Sequence, residues 1–383
     1  MENLIEKQLI VLLKEWNVTY EKIESKESLY KIFSLFNNDV VELQPTTTVE
    51  QLYFGVYYKN KKKDEETAKK YYLMAIDGGS SFAMNNVAIC YENDGDYDKA
   101  KKYYLMGVAA GNVLAMRHFA IYYRYVETQP NLMRKYFRMA IKKGDAKSAF
   151  ELGNFYIIDG PPAKIRKYYL LAIELGSIEA IGIFGNYYNK VEGNFEMAKK
   201  YYLMGVELGD STCMNNLAVC YNTRKEKPVK MVELYLKAIQ VWDCTKREKM
   251  DGCGYAACNL ANYYYEHGDI GKMKFYYGLV IERGFVLGVK EFASYYLNAE
   301  KNPVEALNLY IMYPDKYGVE IQSIAALYPS AMIEVLTKQR QEIVGLKHEV
   351  RDLKLVVEDL KYRPDREELD LCKQRFERQK TVV

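Results

Sequence analysis

The sequence predicts an all-α protein, a solenoid of about eight helical hairpins followed by a C-terminal coiled coil. Three observations predict it. A motif of about 33 residues recurs along most of the chain, each copy carries small and aromatic residues at helical spacing, and residues 329–361 change to a seven-residue period. The repeats open at Ala68, Ala100, Met133, Ile165, Ala198, Met231, Met273 and Ala306, at spacings of 32, 33, 32, 33, 33, 42 and 33 residues. Self-similarity at this period marks stacked supersecondary units and outranks any single-residue motif.

Within a copy the same residue types return at the same offsets. Four residues after each opening lies an aromatic (Tyr72, Tyr104, Phe137, Tyr169, Tyr202, Tyr235, Tyr277, Tyr310), and three further on six copies have Ala or Gly (Ala75, Gly107, Ala140, Ala172, Gly205, Ala238). Positions i, i+4 and i+7 lie on one face of a helix. A glycine such as Gly79, Gly111, Gly144, Gly176 or Gly209 then stops that helix at the position after its cap. A second pattern pairs an apolar with a small residue, as in Val87-Ala88, Phe119-Ala120, Leu152-Gly153, Leu217-Ala218 and Leu260-Ala261, with Tyr91, Tyr123, Tyr156, Tyr221 and Tyr264 three residues later. Small residues let two helices approach and aromatics fill the space beside them. Such a hairpin cannot bury its face alone and must stack on its neighbours. The tyrosine stripe therefore reads as core.

These residues, and the wording AxxxYxMGxExG at Ala198–Gly209, resemble the tetratricopeptide repeat and its Sel-one-like branch over about residues 48–318. The loop between the two helices departs from that branch's Gly-x-Gly-Val wording. The resemblance implies a right-handed superhelix whose first helices line a concave face, and a non-enzymatic role in holding other proteins.

Residues 1–47 do not match the repeat. Ile5, Leu9, Leu12, Leu13 and Trp16 form one apolar helix face and Leu29, Ile32, Phe33 and Phe36 another. A two-helix cap over the first repeat, or a small separate binding module, fits them. Thr48-x-x-Gln51 opens the array as a capping box. The copy beginning at Met231 carries about ten extra residues near Val241–Asp251, including Trp242, read as an excursion from the array. Pro314 and Gly318 are expected to break the last hairpin.

Pro329 opens a long helix and Pro364 ends it. Over residues 329–361, Leu336, Ile343, Val350 and Val357 are seven apart, and Leu346, Leu353 and Leu360 follow three residues behind. With the first set at a and the second at d, Lys347, Lys354 and Lys361 fall at e and Glu342 and Glu349 at g, the pattern of a parallel two-stranded coiled coil. Ile343, Leu346, Val350, Leu353, Val357 and Leu360 are the expected homodimer seam; packing of this helix on its own array is the alternative. Residues 362–383 form a charged tail.

Composition narrows the function. A net charge of +3 over 383 residues argues for no particular acidic partner. Seven cysteines at irregular spacing read as buried thiols of a reducing compartment. Cys253 and Cys258 are too far apart for a CxxC zinc motif. Leu9–Leu13 is too short an apolar run for a secretory leader or a membrane span, and the expectation is a cytoplasmic protein. Three histidines in separate elements assemble neither a metal cluster nor a triad, and no phosphate-binding glycine motif is present. No cofactor, metal or catalytic residue is expected.

The face of the first helices that is not core is more informative. It carries Asn85, Arg117, Asn215 and Lys290 at one register and Asn154, Asn186 and Asn262 a turn later. Asparagine is a mediocre helix former, and its amide offers a donor beside an acceptor, suited to the peptide group of an extended partner. Asn85, Arg117, Asn154, Asn186, Asn215 and Asn262 are thus the candidate peptide-binding residues, with solvated polar positions as the plain alternative. The second helices carry basic pairs, Lys69-Lys70, Lys101-Lys102, Arg134-Lys135, Arg166-Lys167 and Lys199-Lys200. A stripe of these offers a nucleic-acid or anionic surface as the rival function, disfavoured by the small net charge.

Overall fold

A computed structural model describes residues 2–15, 20–23, 25–38, 44–241 and 252–341, and every regular element among them is helical. The chain divides into two compact units, Met1–Ala198 and Lys199–Val383.

In the first unit α1 (Glu2–Glu15) and α2 (Lys26–Asn38) precede α3 (Thr48–Tyr57), which continues as a π turn over Tyr58–Lys62. There follow α4 (Glu65–Asp77), α5 (Ser81–Asn93), α6 (Tyr97–Ala109), α7 (Val113–Tyr125), α8 (Pro130–Lys142), α9 (Ala146–Asp159), α10 (Pro162–Glu174) and α11 (Ile178–Lys190). After α12 (Phe195–Glu207), the second unit contains α13 (Ser211–Thr223), α14 (Pro228–Gln240), α15 (Gly252–Glu266), α16 (Ile270–Glu282), α17 (Leu287–Asn298), α18 (Pro303–Ile311) and α19 (Pro314–Leu327). A further helix, α20 (Pro329–Gln341), is bent by 117° from α19. No single helix among the described residues is long and apolar enough to cross a membrane.

The helix boundaries follow from local chemistry. Asp64, Ser80, Asp96, Asn112, Asp145, Ser177, Asp210, Asp269 and Asn302 each precede a helix and accept the N–H of the residue three positions on. Each such cap contributes about 1 kcal/mol by satisfying an otherwise orphan donor. Proline occupies the first turn of α8, α10, α14 and α18, where its missing N–H does no harm. At the end of α4, Gly79 takes φ +89° so that the Ser80 N–H reaches back to the Ala75 carbonyl at 2.9 Å, which turns the chain into α5.

Neighbouring helices pair as α3 with α4, α5 with α6, α7 with α8 and α9 with α10 in the first unit, and as α13 with α14, α15 with α16 and α17 with α18 in the second. The small residues sit at these crossings. Ala68, Ala75, Ala100, Ala140 and Ala172 are fully buried. A Cβ on Gly55 would lie 2.5 Å from the Tyr72 ring, and one on Gly107 would lie 2.7 Å from the Ala115 Cβ.

Two series of ring contacts recur with the repeat. Inside hairpins, Tyr91 stacks on Tyr103, Tyr123 on Tyr136, Tyr156 on Tyr168 and Tyr264 on Tyr276, with centroids 5.5–5.8 Å apart and planes within 9°. Between hairpins, Tyr104 stacks on Phe119, Tyr169 on Phe184 and Tyr277 on Phe292 at 5.2–5.4 Å. Such pairs add about 0.5–1.5 kcal/mol each beyond the area they bury.

At the N-terminal end, Leu9, Leu13, Leu29, Ile32 and Phe36 share one core with Leu52, Tyr53, Phe54 and Tyr57 of α3. A buried polar anchor fastens α2 to α3. Ser28 Oγ donates to Glu50 Oε1 at 2.7 Å, and Lys31 Nζ and the Thr46 N–H donate to Oε2 at 2.9 and 2.7 Å. Burial works against the charge of Glu50, but these three donors outweigh it and hold the carboxyl down to about 2.

The C-terminal end departs from expectation. Pro314 starts α19 rather than ending the array, and Gly318 lies inside that helix, beyond a kink at Tyr317 (φ −118°, ψ 23°). Tyr317, Ile324, Ala331 and Val335 share a core with Phe292, Leu307 and Tyr310. Helical packing therefore continues past residue 318, because the apolar residues after the kink still face α17 and α18. The first turns of the helix opened by Pro329 are docked through Ala331 and Val335, while Ile333 and Leu336 are exposed. The heptad residues Ile343, Leu346, Val350, Leu353, Val357 and Leu360 and the insertion residues 242–251 lie outside the described residues.

Candidate functional site

The first helices of successive hairpins in the first unit wall a cavity of about 310 Å³. Leu52 and Val56 of α3, Phe82 and Ile89 of α5, and Leu114 and Ile121 of α7 line it with apolar groups. Its polar groups are Lys59 and Asn60 in the π turn, Asn85 and Asn86 on α5, Arg117 and His118 on α7, and Lys147 and Glu151 on α9. These residues converge because every first helix presents the same face. On α5 and α7 the residues two and three before the small residue, and one after it, all line the cavity.

Two of the six predicted residues, Asn85 and Arg117, belong to this cavity. Asn85 is buried, its Oδ1 2.8 Å from His118 Nδ1 and its Nδ2 donating to Asn86 Oδ1. An amide oxygen only accepts, so this bond puts the imidazole proton on Nδ1 and leaves Nε2 as the ring's acceptor. Burial, then the nearby Arg117 and Lys147 charges, push the imidazole down to about 4. Arg117 is ion-paired with Asp145 at 2.8 Å, and Arg124 with Glu151 at 2.8 Å. Lys59 and Lys147 make no ion pair among the described residues. Among the described residues the Lys59 ammonium has one hydrogen-bond partner, the thiol of buried Cys90 at 3.7 Å.

The other asparagines are placed differently, and the structure supplies a reason for them that the sequence reading lacked. Asn154 accepts a 2.7 Å hydrogen bond from the hydroxyl of Tyr169, and Asn262 accepts one from Tyr277. Both tyrosines are the core aromatics of the paired second helices. Asn215, in the second unit, is buried and accepts from Asn259 Nδ2 at 2.9 Å. Asn186 is half-buried on α11 and has polar contacts of its own. The expectation of plain solvated positions is corrected for Asn85 and Asn215, since a buried amide must be hydrogen-bonded and both are. Asn262 also lines a cleft of about 400 Å³ in the second unit with Tyr265, Lys290, Glu291, Ser294 and Asn298.

Lys59, Asn60, Asn86, His118, Lys147 and Glu151 were missed as site residues. Lys59 and Asn60 read as loop because a lysine run masks the turn that follows Val56. Asn86 and His118 each stand beside a residue that was picked, and a wider inward arc on the helix would have included them.

In three of the five basic pairs the first member is ion-paired. Lys69 pairs with Asp94 at 2.7 Å, Lys101 with Glu127 at 2.8 Å and Arg166 with Glu192 at 3.2 Å, and Lys274 repeats the contact with Glu300 at 2.6 Å. The second members, Lys102, Lys135, Lys167 and Lys200, lie over the rings of Tyr103, Tyr136, Tyr168 and Tyr201 at 5.2–5.8 Å. Cys90, Cys213, Cys220, Cys253 and Cys258 are buried. No group of His, Cys, Asp and Glu able to hold a metal ion occurs among the described residues.

No family model and no curated protein matches the chain. Solved structures do. A protective antigen of uropathogenic Escherichia coli with an SLR fold is 21% identical, covering 78% of this chain and 68% of its own, with a TM-score of 0.47. A Sel1 repeat protein from Oxalobacter formigenes is 18% identical, covering 60% of this chain and 99% of its own, with a TM-score of 0.45. Yeast Tom70 is 17% identical, covering 89% and 76%, with a TM-score of 0.48. The chain is similar to these helical-repeat proteins.

Proposed function

We propose that this protein is a non-enzymatic, cytoplasmic interaction scaffold that holds a peptide or domain of a partner protein against its first helices. The observation that carries the reading is the cavity in the first unit, walled by α3, α5, α7 and α9. It combines an apolar floor, aliphatic except for the rings of Tyr72 and Phe82, with amides at Asn60, Asn85 and Asn86, a combination suited to a main chain with apolar side chains. The ion pairing of Lys69, Lys101 and Arg166 weighs against the rival reading as a nucleic-acid or anionic-surface binder. The reading includes homodimerisation through residues 343–360. It is supported by Leu336, the first a residue of the heptads, which is 50% exposed while its neighbour Val335 is buried in the array. Two copies then offer two faces to a multivalent partner.

The test is parallel affinity capture with the full chain and with Asn86→Trp, a change that fills the cavity from a half-buried position, both checked for helical content. A protein captured directly by the parent, and lost with Asn86→Trp, supports the reading. Identical captures by the two chains sink it.

A further inference from the structure

We infer that the outward face of α8 is a docking surface for an anionic lipid bilayer. This goes beyond the scaffold reading and is independent of it, since no residue of α8 lines the cavity. Charge is the first argument. Residues 128–144 carry five cations, Arg134, Lys135, Arg138, Lys142 and Lys143, and neither Asp nor Glu. Every other second helix from α4 to α18 contains at least one acidic residue. The carboxylates that bound this run are consumed elsewhere, Glu127 by Lys101 and Asp145 by Arg117, both at 2.8 Å. Arg134 donates to the amide oxygen of Asn131, Arg138 Nε to the Tyr168 hydroxyl at 3.3 Å, and Lys135 lies 5.2 Å over the Tyr136 ring. None of the five meets a carboxylate among the described residues, unlike Lys69, Lys101 and Arg166 of the other basic pairs. Clustered cations of one sign attract an anionic surface well beyond contact range.

The repeat register is the second argument. Residues spaced i, i+4 and i+7 share one helix face. That face reads Glu66-Lys70-Leu73 on α4 and Asp98-Lys102-Leu105 on α6, but Asn131-Lys135-Arg138 on α8. One turn further on, Lys142 stands where α4 has Asp77. Lys135, Arg138 and Lys142 are all exposed. Neighbouring copies form the same hairpin with acids and leucine at these positions, so the array itself does not call for the cations. What flanks them selects the partner. The Arg138–Tyr168 bond sets α10 beside α8, and Leu170 of α10 and Leu105 of α6, at the register of Arg138, are 41% and 48% exposed. Cations bordered by exposed aliphatic groups suit lipid headgroups above acyl chains. The rings of this region, Tyr136 and Tyr168, are buried and give nucleobases no stacking platform.

The experiment titrates the full chain with phosphatidylcholine vesicles made with and without phosphatidylserine, read by co-sedimentation. Labelled octauridylate runs beside them. Expected is binding to the phosphatidylserine vesicles alone, weakened by added salt. Lys135→Gln/Arg138→Gln/Lys142→Gln should weaken it at least about thirtyfold, as the loss of three cations at an anionic surface predicts. Lys70→Gln/Lys230→Gln/Lys237→Gln removes the same charge elsewhere and should bind like the parent. Should the α8 triple variant fold poorly, Lys142→Gln/Lys143→Gln repeats the test at two exposed side chains, with an expected loss of at least about fivefold. Equal binding to both kinds of vesicle, or to neither, overturns the inference. So does a loss as large in the variant changed elsewhere, which would make net charge the cause. Octauridylate binding that depends on the α8 cations, with no vesicle binding, overturns it in favour of nucleic acid.

Discussion

The hydroxyl of Tyr169 on α10 donates a 2.7 Å hydrogen bond to Oδ1 of Asn154 on α9. Tyr277 repeats the bond to Asn262 at the same separation of fifteen residues. The asparagine follows the small residue of the first helix and the tyrosine is the core aromatic of the second, so the bond ties the two helices of a hairpin where the tyrosine must bury a polar group. Asn154→Ala should therefore destabilise the first unit despite alanine's better helix propensity, by roughly 1–3 kcal/mol, because it strands a buried hydroxyl. Tyr169→Phe in the Asn154→Ala background should recover part of that loss. Urea unfolding followed by circular dichroism measures both, and an Asn154→Ala protein as stable as the parent would show that the bond contributes nothing.

The hairpin of α13 and α14 lacks this bond. Val219 stands where Asn154 and Asn262 do, and the Tyr235 hydroxyl is buried without a hydrogen-bond partner among the described residues. Val219→Asn should supply one and stabilise the second unit by about 1 kcal/mol. Tyr235→Phe should be neutral or stabilising, the reverse of Tyr169→Phe in an otherwise native chain. A lower melting temperature for both variants would mean that Tyr235 is satisfied by another group.

Close approach at the hairpin crossings has a direct check at Gly55. A Cβ there would meet two Tyr72 ring carbons at 2.5 Å, and that ring is 1% exposed with little room to move. Gly55→Ala should cost about 1–3 kcal/mol through overpacking, more than helix propensity returns. Ala172→Leu, at a fully buried position of α10, should behave alike. Unfolding midpoints at or above that of the parent would contradict the packing.

His118 makes stability depend on pH. Its imidazole is lowered from 6.5 to about 4 in the fold, so it stays neutral there while the unfolded chain takes up a proton first. The folded state then binds fewer protons than the unfolded one between about pH 6.5 and pH 4. Its contribution is complete above that window and is lost as pH falls through it. His118→Gln should show a shallower fall in urea midpoint over the same interval. Parallel profiles would place the acid sensitivity elsewhere.

Self-association should reside in the residues after Gln341. Burial of each Leu at a seam contributes roughly 1.5–3 kcal/mol, so Leu353→Asp should convert a dimer to a folded monomer, and so should a stop after Gln341. Stopping before Pro329 should be more damaging, because it removes Ala331 and Val335 from the core around Tyr310 and Ile324. Sedimentation of the intact protein as a monomer at micromolar concentration would remove the bivalent part of the proposed function.

The all-helical repeat was legible in the sequence because its determinants are local. An aromatic four residues past the opening, a small residue at seven and a capping Ser, Asp or Asn before many of the helices act within one or two turns, and helical periodicity alone puts them in place. The candidate site was half legible. Asn85 and Arg117 could be picked from the inward register, but what each asparagine does depends on what lies across from it. Asn154 meets a tyrosine hydroxyl, Asn85 meets an imidazole, and Arg117 meets Asp145 twenty-eight residues away. Such partners are set by how neighbouring helices are offset against each other, which no spacing along one helix encodes. The same holds for Lys69, Lys101 and Arg166, which read as part of a stripe in one dimension and become ion pairs once the next hairpin brings Asp94, Glu127 and Glu192 alongside. The sequence by itself determined the period, the helices and the tyrosine core. Only tertiary packing decided which polar groups are consumed inside the array and which, like Lys59 and Lys147, are left facing a cavity, because charge is neutralised through space and not along the chain.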